Sequence, residues 1–214
     1  MAHAFELTAR DREIVGMLTR DVRVATVAQI GARWFADSAA PARNAGRRLD
    51  VLVNAGLIRR LDMMTRPAPE PDSPLCTWRG GEPAPDFSTL ATRLAARWRA
   101  GLKRTPLAIA TERAGVLFGG SGGRIPRLSE VSHDIALTAV YFRRFVQRAS
   151  PTAVWYSEAR LAKLGFGDRR RLPDAMIEDR GVRTVIELGG AYSAVKLKAF
   201  HEFCSEEGLP YELW

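Results

Sequence analysis

The sequence predicts an α+β protein in two domains, and three observations lead there. Apolar side chains recur at helical spacing in three short runs between Leu7 and Val53. Two strand-like runs, "LIRRLDMMTR" and "LCTWRGG", follow them. Beyond residue 129 an opening helix is followed by strand, strand, helix and strand, which makes a small α/β layer. A chain of 214 residues has room for two cores, and 46% hydrophobic with 26% charged residues is the composition of a folded chain.

The first run, "LTARDREIVGMLTR", takes Thr8 as N-cap and sets Leu7, Asp11, Ile14, Val15 and Leu18 on one side. The second, "VATVAQIGARWF", takes Thr26 as cap and gathers Val27, Ile30 and Phe35. After the turn "ADSAAP" the third, "ARNAGRRLDVLVNAGLIRRL", aligns Ala42, Ala45, Leu49, Leu52 and Val53. At 100° per residue its opposite side carries Asn44, Arg47 and Val51, flanked by Arg43 and Arg48. Three short helices and a two-stranded hairpin make a winged helix-turn-helix. The third helix then presents Arg and Asn, the side chains that read guanine and adenine edges in a major groove. Arg59, Arg60 and Arg66 fall on or near the wing, where phosphate contacts arise. Outward arginines can also merely solvate a helix.

Charge separates the two halves. Lys and Arg number 11 against 7 Asp and Glu in residues 1–66, 9 against 5 in 67–128, and 12 against 12 in 129–214. The whole excess of +8 lies before residue 129, almost all of it arginine, the side chain suited to phosphate and guanine. A high-GC genome writes arginine too. Cys76 and Cys204 are the only cysteines and form no CxxC pair, which points to a reducing cytoplasm. His3, His133 and His201 are scattered, which argues against zinc. No apolar run approaches a membrane span of about 18 residues, and the opening "MAHAFELTARDREIV" lacks the pattern of a secretory signal.

Residues 67–85 hold six prolines and read as wing tip and linker. "DFSTLATRLAARWRAGLKR" reads as a helix with Phe87, Leu90, Leu94 and Trp98 inward and Arg93, Arg97 and Arg99 outward or marginal. "GGSGG" lacks the Gly-Lys-Ser/Thr of a phosphate loop and reads as a flexible connector. The expected domains are therefore 1–82, a connecting stretch 83–128, and 129–214. In the last, "LSEVSHDIALTAVYFRRFVQ" is apolar on more than one side, with His133 off the main stripe as a surface or capping residue. "LPDAMIEDRGVRTVIELGG" reads as two strands joined by a turn, with Pro173-Asp174 opening the first and Glu187 closing the second.

Four segments, "LTARDREIVGML", "RRLDVLVNAGLIRRL", "SHDIALTAVYF" and "PDAMIEDRGVRTVIELGGAYSAVKLKAF", resemble in that order the replication-relaxation family of plasmids and mobile elements, over residues 6–206. The resemblance implies a winged helix-turn-helix fused to a domain like the PD-(D/E)xK nucleases, acting in plasmid replication, relaxation or transfer. In active members of that superfamily, Asp and Glu hold a divalent metal and a nearby lysine stabilises developing charge. Asp174 and Glu187 match the acidic positions and Glu158 offers an earlier acid, but Gly189 stands where the lysine belongs. Lys196, at the edge of the following helix, is the one substitute. A Pro-Asp strand opener and a solvated Glu would account for the same residues.

The reading is of a cytoplasmic, sequence-specific double-stranded DNA-binding protein of a mobile element, serving replication, transfer or transcription control. Its nuclease-like domain is expected to be inactive and kept for assembly. A homodimer is expected, because one winged helix reads only a few base pairs. The alternatives are a Mg²⁺-dependent endonuclease at a replication or transfer origin, and an adaptor for a relaxase or another replication or transfer protein. In the first reading no cofactor, metal or membrane is expected.

Overall fold

The computed structural model describes residues 6–67, 72–166 and 172–214. α1 (Ala9–Arg20) starts at Thr8, whose hydroxyl accepts from the Asp11 N–H while the Asp11 carboxylate accepts from the Thr8 N–H. β1 (Ala25–Thr26) leads into α2 (Val27–Trp34), capped the same way by Thr26 and Gln29. α3 (Pro41–Asn54) opens on a proline, which has no N–H to leave unsatisfied in the first turn. β2 (Ile58–Thr65) follows at once. The chain continues through β3 (Cys76–Trp78), α4 (Phe87–Arg97), β4 (Lys103–Ala110), α5 (Glu112–Phe118) and α6 (Val131–Val140), which runs on as a π-helical turn over Tyr141–Val146. β5 (Val154–Ser157), α7 (Glu158–Lys163), β6 (Ala175–Asp179), β7 (Val182–Glu187), α8 (Ala194–Glu206) and β8 (Tyr211–Leu213) come last. The architecture is α+β with two sheets.

Two compact units interleave in sequence. One comprises Met1–Thr65 and Leu102–Thr138, the other Arg66–Gly101 and Ala139–Trp214. In the first, an antiparallel sheet of order β1-β4-β2 accompanies the three N-terminal helices. Ile14, Val15, Ile30, Leu49, Leu52, Leu107 and Ile109 are buried there. In the second, the sheet order is β3-β8-β7-β6-β5. β7 and β8 are parallel and joined through α8, and the other neighbours are antiparallel. Trp78, Leu90, Leu94, Leu161, Val185, Leu197 and Tyr211 share its core.

The helices and strands read from the sequence are present, but one pairing is not. "LCTWRGG" was expected to return against β2, and it pairs instead with β8 in the other unit, Cys76 opposite Leu213. The partner of β2 is β4, in register from Ile58 opposite Ala110 to Thr65 opposite Lys103. The compact units therefore do not follow the expected bounds at residues 82 and 128. The wing-tip reading falls partly on residues 68–71, which lie outside the described residues.

"GGSGG" is also not a free connector. Gly120 donates to Gly115, Ser121 to the carbonyl of Thr19 at 2.7 Å, and Gly123 to that of Ala110 at 2.8 Å. A Cβ on Gly120 would lie 2.2 Å from the Thr19 oxygen, and one on Gly122 2.0 Å from that of Thr111. These glycines let two backbones touch. Among the described residues, no helix is long and apolar enough to cross a membrane.

Candidate functional site

α3 exposes Arg43 and Arg47, with Asn44 half-buried between them. Arg48 differs. Its Nε donates to Asp11 Oδ1 at 2.7 Å and its Nη2 to Asp11 Oδ2, so its guanidinium is turned back onto α1. Asp11 is fully buried; burial raises its carboxyl pKa, but the hydrogen bonds from Arg48 and Thr8 outweigh that and hold it below the ordinary carboxylate value. Arg48 is therefore a helix-to-helix tie and leaves the outward set. Arg60, on β2, pairs with exposed Asp50 of α3 at 2.6 Å, and Arg59 is exposed beside it. Arg66 belongs to the second unit, where Nη1 donates to the carbonyl of Ala100 at 2.6 Å. Arg43, Asn44, Arg47, Arg59 and Arg60 thus remain together in the first unit.

Strand register brings the acidic candidates into line. Ser157 faces Ala175, and Ala175 faces Ile186. Glu158, Asp174 and Glu187 are the next residues at the same end of β5, β6 and β7. Their side chains do not converge on a common ion. No three His, Cys, Asp or Glu side chains among the described residues gather closely enough to hold one. Asp174 and Glu187 instead clasp the strand ends. The Leu188 N–H donates to Asp174 Oδ2 at 2.8 Å, and the Asp174 N–H lies 3.4 Å from Glu187 Oε2. Glu187 is 1% exposed, and its other oxygen accepts from the Tyr192 hydroxyl at 2.8 Å.

Gly189, where the resemblance implies a lysine, is enclosed by packing. A Cβ on Gly189 would come within 2.4 Å of Leu94 Cδ2, and Leu94 is fully buried in the core. The Gly189 backbone is held on both sides: its N–H donates to Trp214 and its carbonyl accepts from Trp98 Nε1, each at 3.0 Å. Lys196 sits with Nζ 3.4 Å from the centre of the Tyr192 ring, a cation–π contact. Tyr192 thus touches both Lys196 and Glu187. Both line a cleft of about 500 Å³, walled by Leu172, Phe200 and Phe203 and rimmed by Glu206. Among the described residues its charged lining is Glu187, Glu202 and Glu206 with Lys196.

Sequence reasoning found the acids, Gly189 and Lys196, but missed Tyr192, Leu94 and Asp11 as the residues that decide what those groups do. Only Asp11 left a signal, an acid on an otherwise apolar stripe. Cys204 is fully buried, and burial pushes its thiol up to about 12, with Glu187 adding to the shift. His133 lies 3.8 Å from Asp134, a partly exposed neighbour of one acid. No protein-family model, curated protein or solved structure matches the chain. The likeness to the replication-relaxation family rests on the four quoted segments.

Proposed function

We propose that this chain is a sequence-specific double-stranded DNA-binding protein of the replication-relaxation type, working in replication, transfer or transcription control of a mobile element. The first unit is read as a winged helix-turn-helix with α3 as its recognition helix and the β2–β4 ribbon as its wing. One observation carries this reading: Arg43 and Arg47 stand exposed on α3 around Asn44, with no described carboxylate paired to either, while Arg48 is tied inward. An arginine stripe held only for solubility gives no reason for that division. Arg60 and Arg59 on β2 supply backbone contacts beside it. The second unit is read as a nuclease-like layer whose reaction centre is closed, serving assembly as a homodimer.

A metal-dependent endonuclease is the second reading, favoured by the alignment of Glu158, Asp174 and Glu187 at one end of the sheet. Against it stand Tyr192 on Glu187 and Leu94 against Gly189. A reaction centre that lacks such an electrostatic stabiliser is slowed by about 10²–10³-fold. The test is supercoiled plasmid incubated with the full-length chain and Mg²⁺ or Mn²⁺. Retardation without nicking is expected for the native chain, and Asp174→Ala should leave retardation unchanged. No retardation sinks the DNA-binding reading; nicking that Asp174→Ala or Lys196→Ala abolishes promotes the nuclease.

A further inference from the structure

α4 carries a cation with one buried nitrogen left unpaired among the described residues. Nη1 of Arg97 is buried and has no hydrogen-bond partner among the described residues. Buried donors are almost always paired, so such an atom calls for a cause. The charged neighbour that acts on Arg97 is Arg93, one turn earlier on the same helix, and it repels. Burial and then Arg93 both disfavour the charged form of Arg97. No described carboxylate pairs with either side chain. A cation in the last turn of a helix complements the dipole, but that does not supply an acceptor to a buried nitrogen. The backbone around this turn is fixed, because Trp98 Nε1 donates to Gly189 and Leu94 fills the core beneath.

Two guanidiniums one turn apart, one half-buried and neither neutralised, are matched by a tetrahedral oxyanion, which accepts from several N–H groups at once. We propose that Arg93 and Arg97 form an anion site on α4 that takes a phosphate group, and that the phosphate is supplied by the DNA backbone. The second unit then holds DNA as well as the first. Counted over its residues, that unit carries 17 Lys and Arg against 14 Asp and Glu, because residues 66–101 add 5 against 4 while Glu130 and Asp134 fall in the first unit; the neutrality of residues 129–214 taken alone conceals this. The site does not depend on α3, so failure of the recognition-helix reading would leave it standing.

The test uses the full-length chain, with inorganic phosphate and a random-sequence duplex as probes. At constant ionic strength, phosphate in place of chloride should raise the melting temperature of the native chain. Arg97→Met and Arg93→Gln should each remove that rise. Without phosphate, Arg97→Met should melt no lower than the native chain, since it removes a buried donor that has no acceptor. On the duplex, either variant should lower the slope of log affinity against log salt by about 1. No rise in the native chain, or a rise kept in both variants, overturns the site. A rise lost in the variants with an unchanged duplex slope assigns the site to free phosphate and overturns the DNA source. Should Arg97→Met fail to fold, Arg93→Gln, at an exposed position, carries both readings.

Discussion

Asp11 shows what a single residue's chemistry adds to periodicity. Its place on the apolar side of α1 was visible in the spacing, but the reason, a guanidinium 37 residues later, was not. The same holds at Gly189: a glycine where the resemblance implies a lysine is legible in the sequence, whereas Leu94, which fills the space, lies on another element and is reached only by folding. Asp11 also has a pH signature. Its folded pKa is depressed below the ordinary 3.8, so its contribution to stability is present above that value and is lost as pH falls through the lower folded one. Asp11→Asn keeps the shape but leaves Arg48 without its counter-charge. It should cost on the order of 3 kcal/mol near neutral pH. Below about pH 4 the native chain should lose stability and approach the variant. Thermal melts across pH decide this; a constant gap between the two chains down to strongly acid pH contradicts it.

At the scale of elements, local pattern foretold which segments become helix and strand but not which strands meet. β2 and β3 both alternate as strands, and nothing in either says that β2 waits for β4 while β3 joins β8. Pairing is fixed by the apolar faces each strand must cover, which are spread over the whole chain. "GGSGG" misled in a related way. Glycine-rich composition suggests freedom, yet here the missing Cβ atoms permit contact between the loop and the backbone at Thr19 and Thr111. Gly120→Ala should therefore destabilise by about 1–3 kcal/mol in denaturant unfolding. Gly101→Ala, where an added Cβ meets nothing within 4 Å, should change stability by about 0.5 kcal/mol or less. Equal, small effects at both positions would restore the flexible-connector reading.

For the whole molecule, interleaving matters more than either unit's contents. The chain passes between units at residues 65–66, 101–102 and 138–139. A fragment from residue 129 onward would lack β3 and α4, and with them Trp78, Leu90 and Leu94 of the second core. That fragment should be unfolded by circular dichroism; a folded, dimeric fragment would show that those elements are dispensable and the units separable. The charge follows the units too. The first carries 15 Lys and Arg against 10 Asp and Glu, so it remains the more basic of the two, as the recognition-helix proposal requires. The most direct test of that proposal is selection of duplexes from a random library by the full-length native chain and by Arg47→Ala. The native chain should enrich one motif, and Arg47→Ala should lose discrimination at one base pair in each half-site, worth about 1–3 kcal/mol, while keeping the rest of the motif. No enriched motif with the native chain, or an identical motif at identical strength with Arg47→Ala, would contradict recognition through α3.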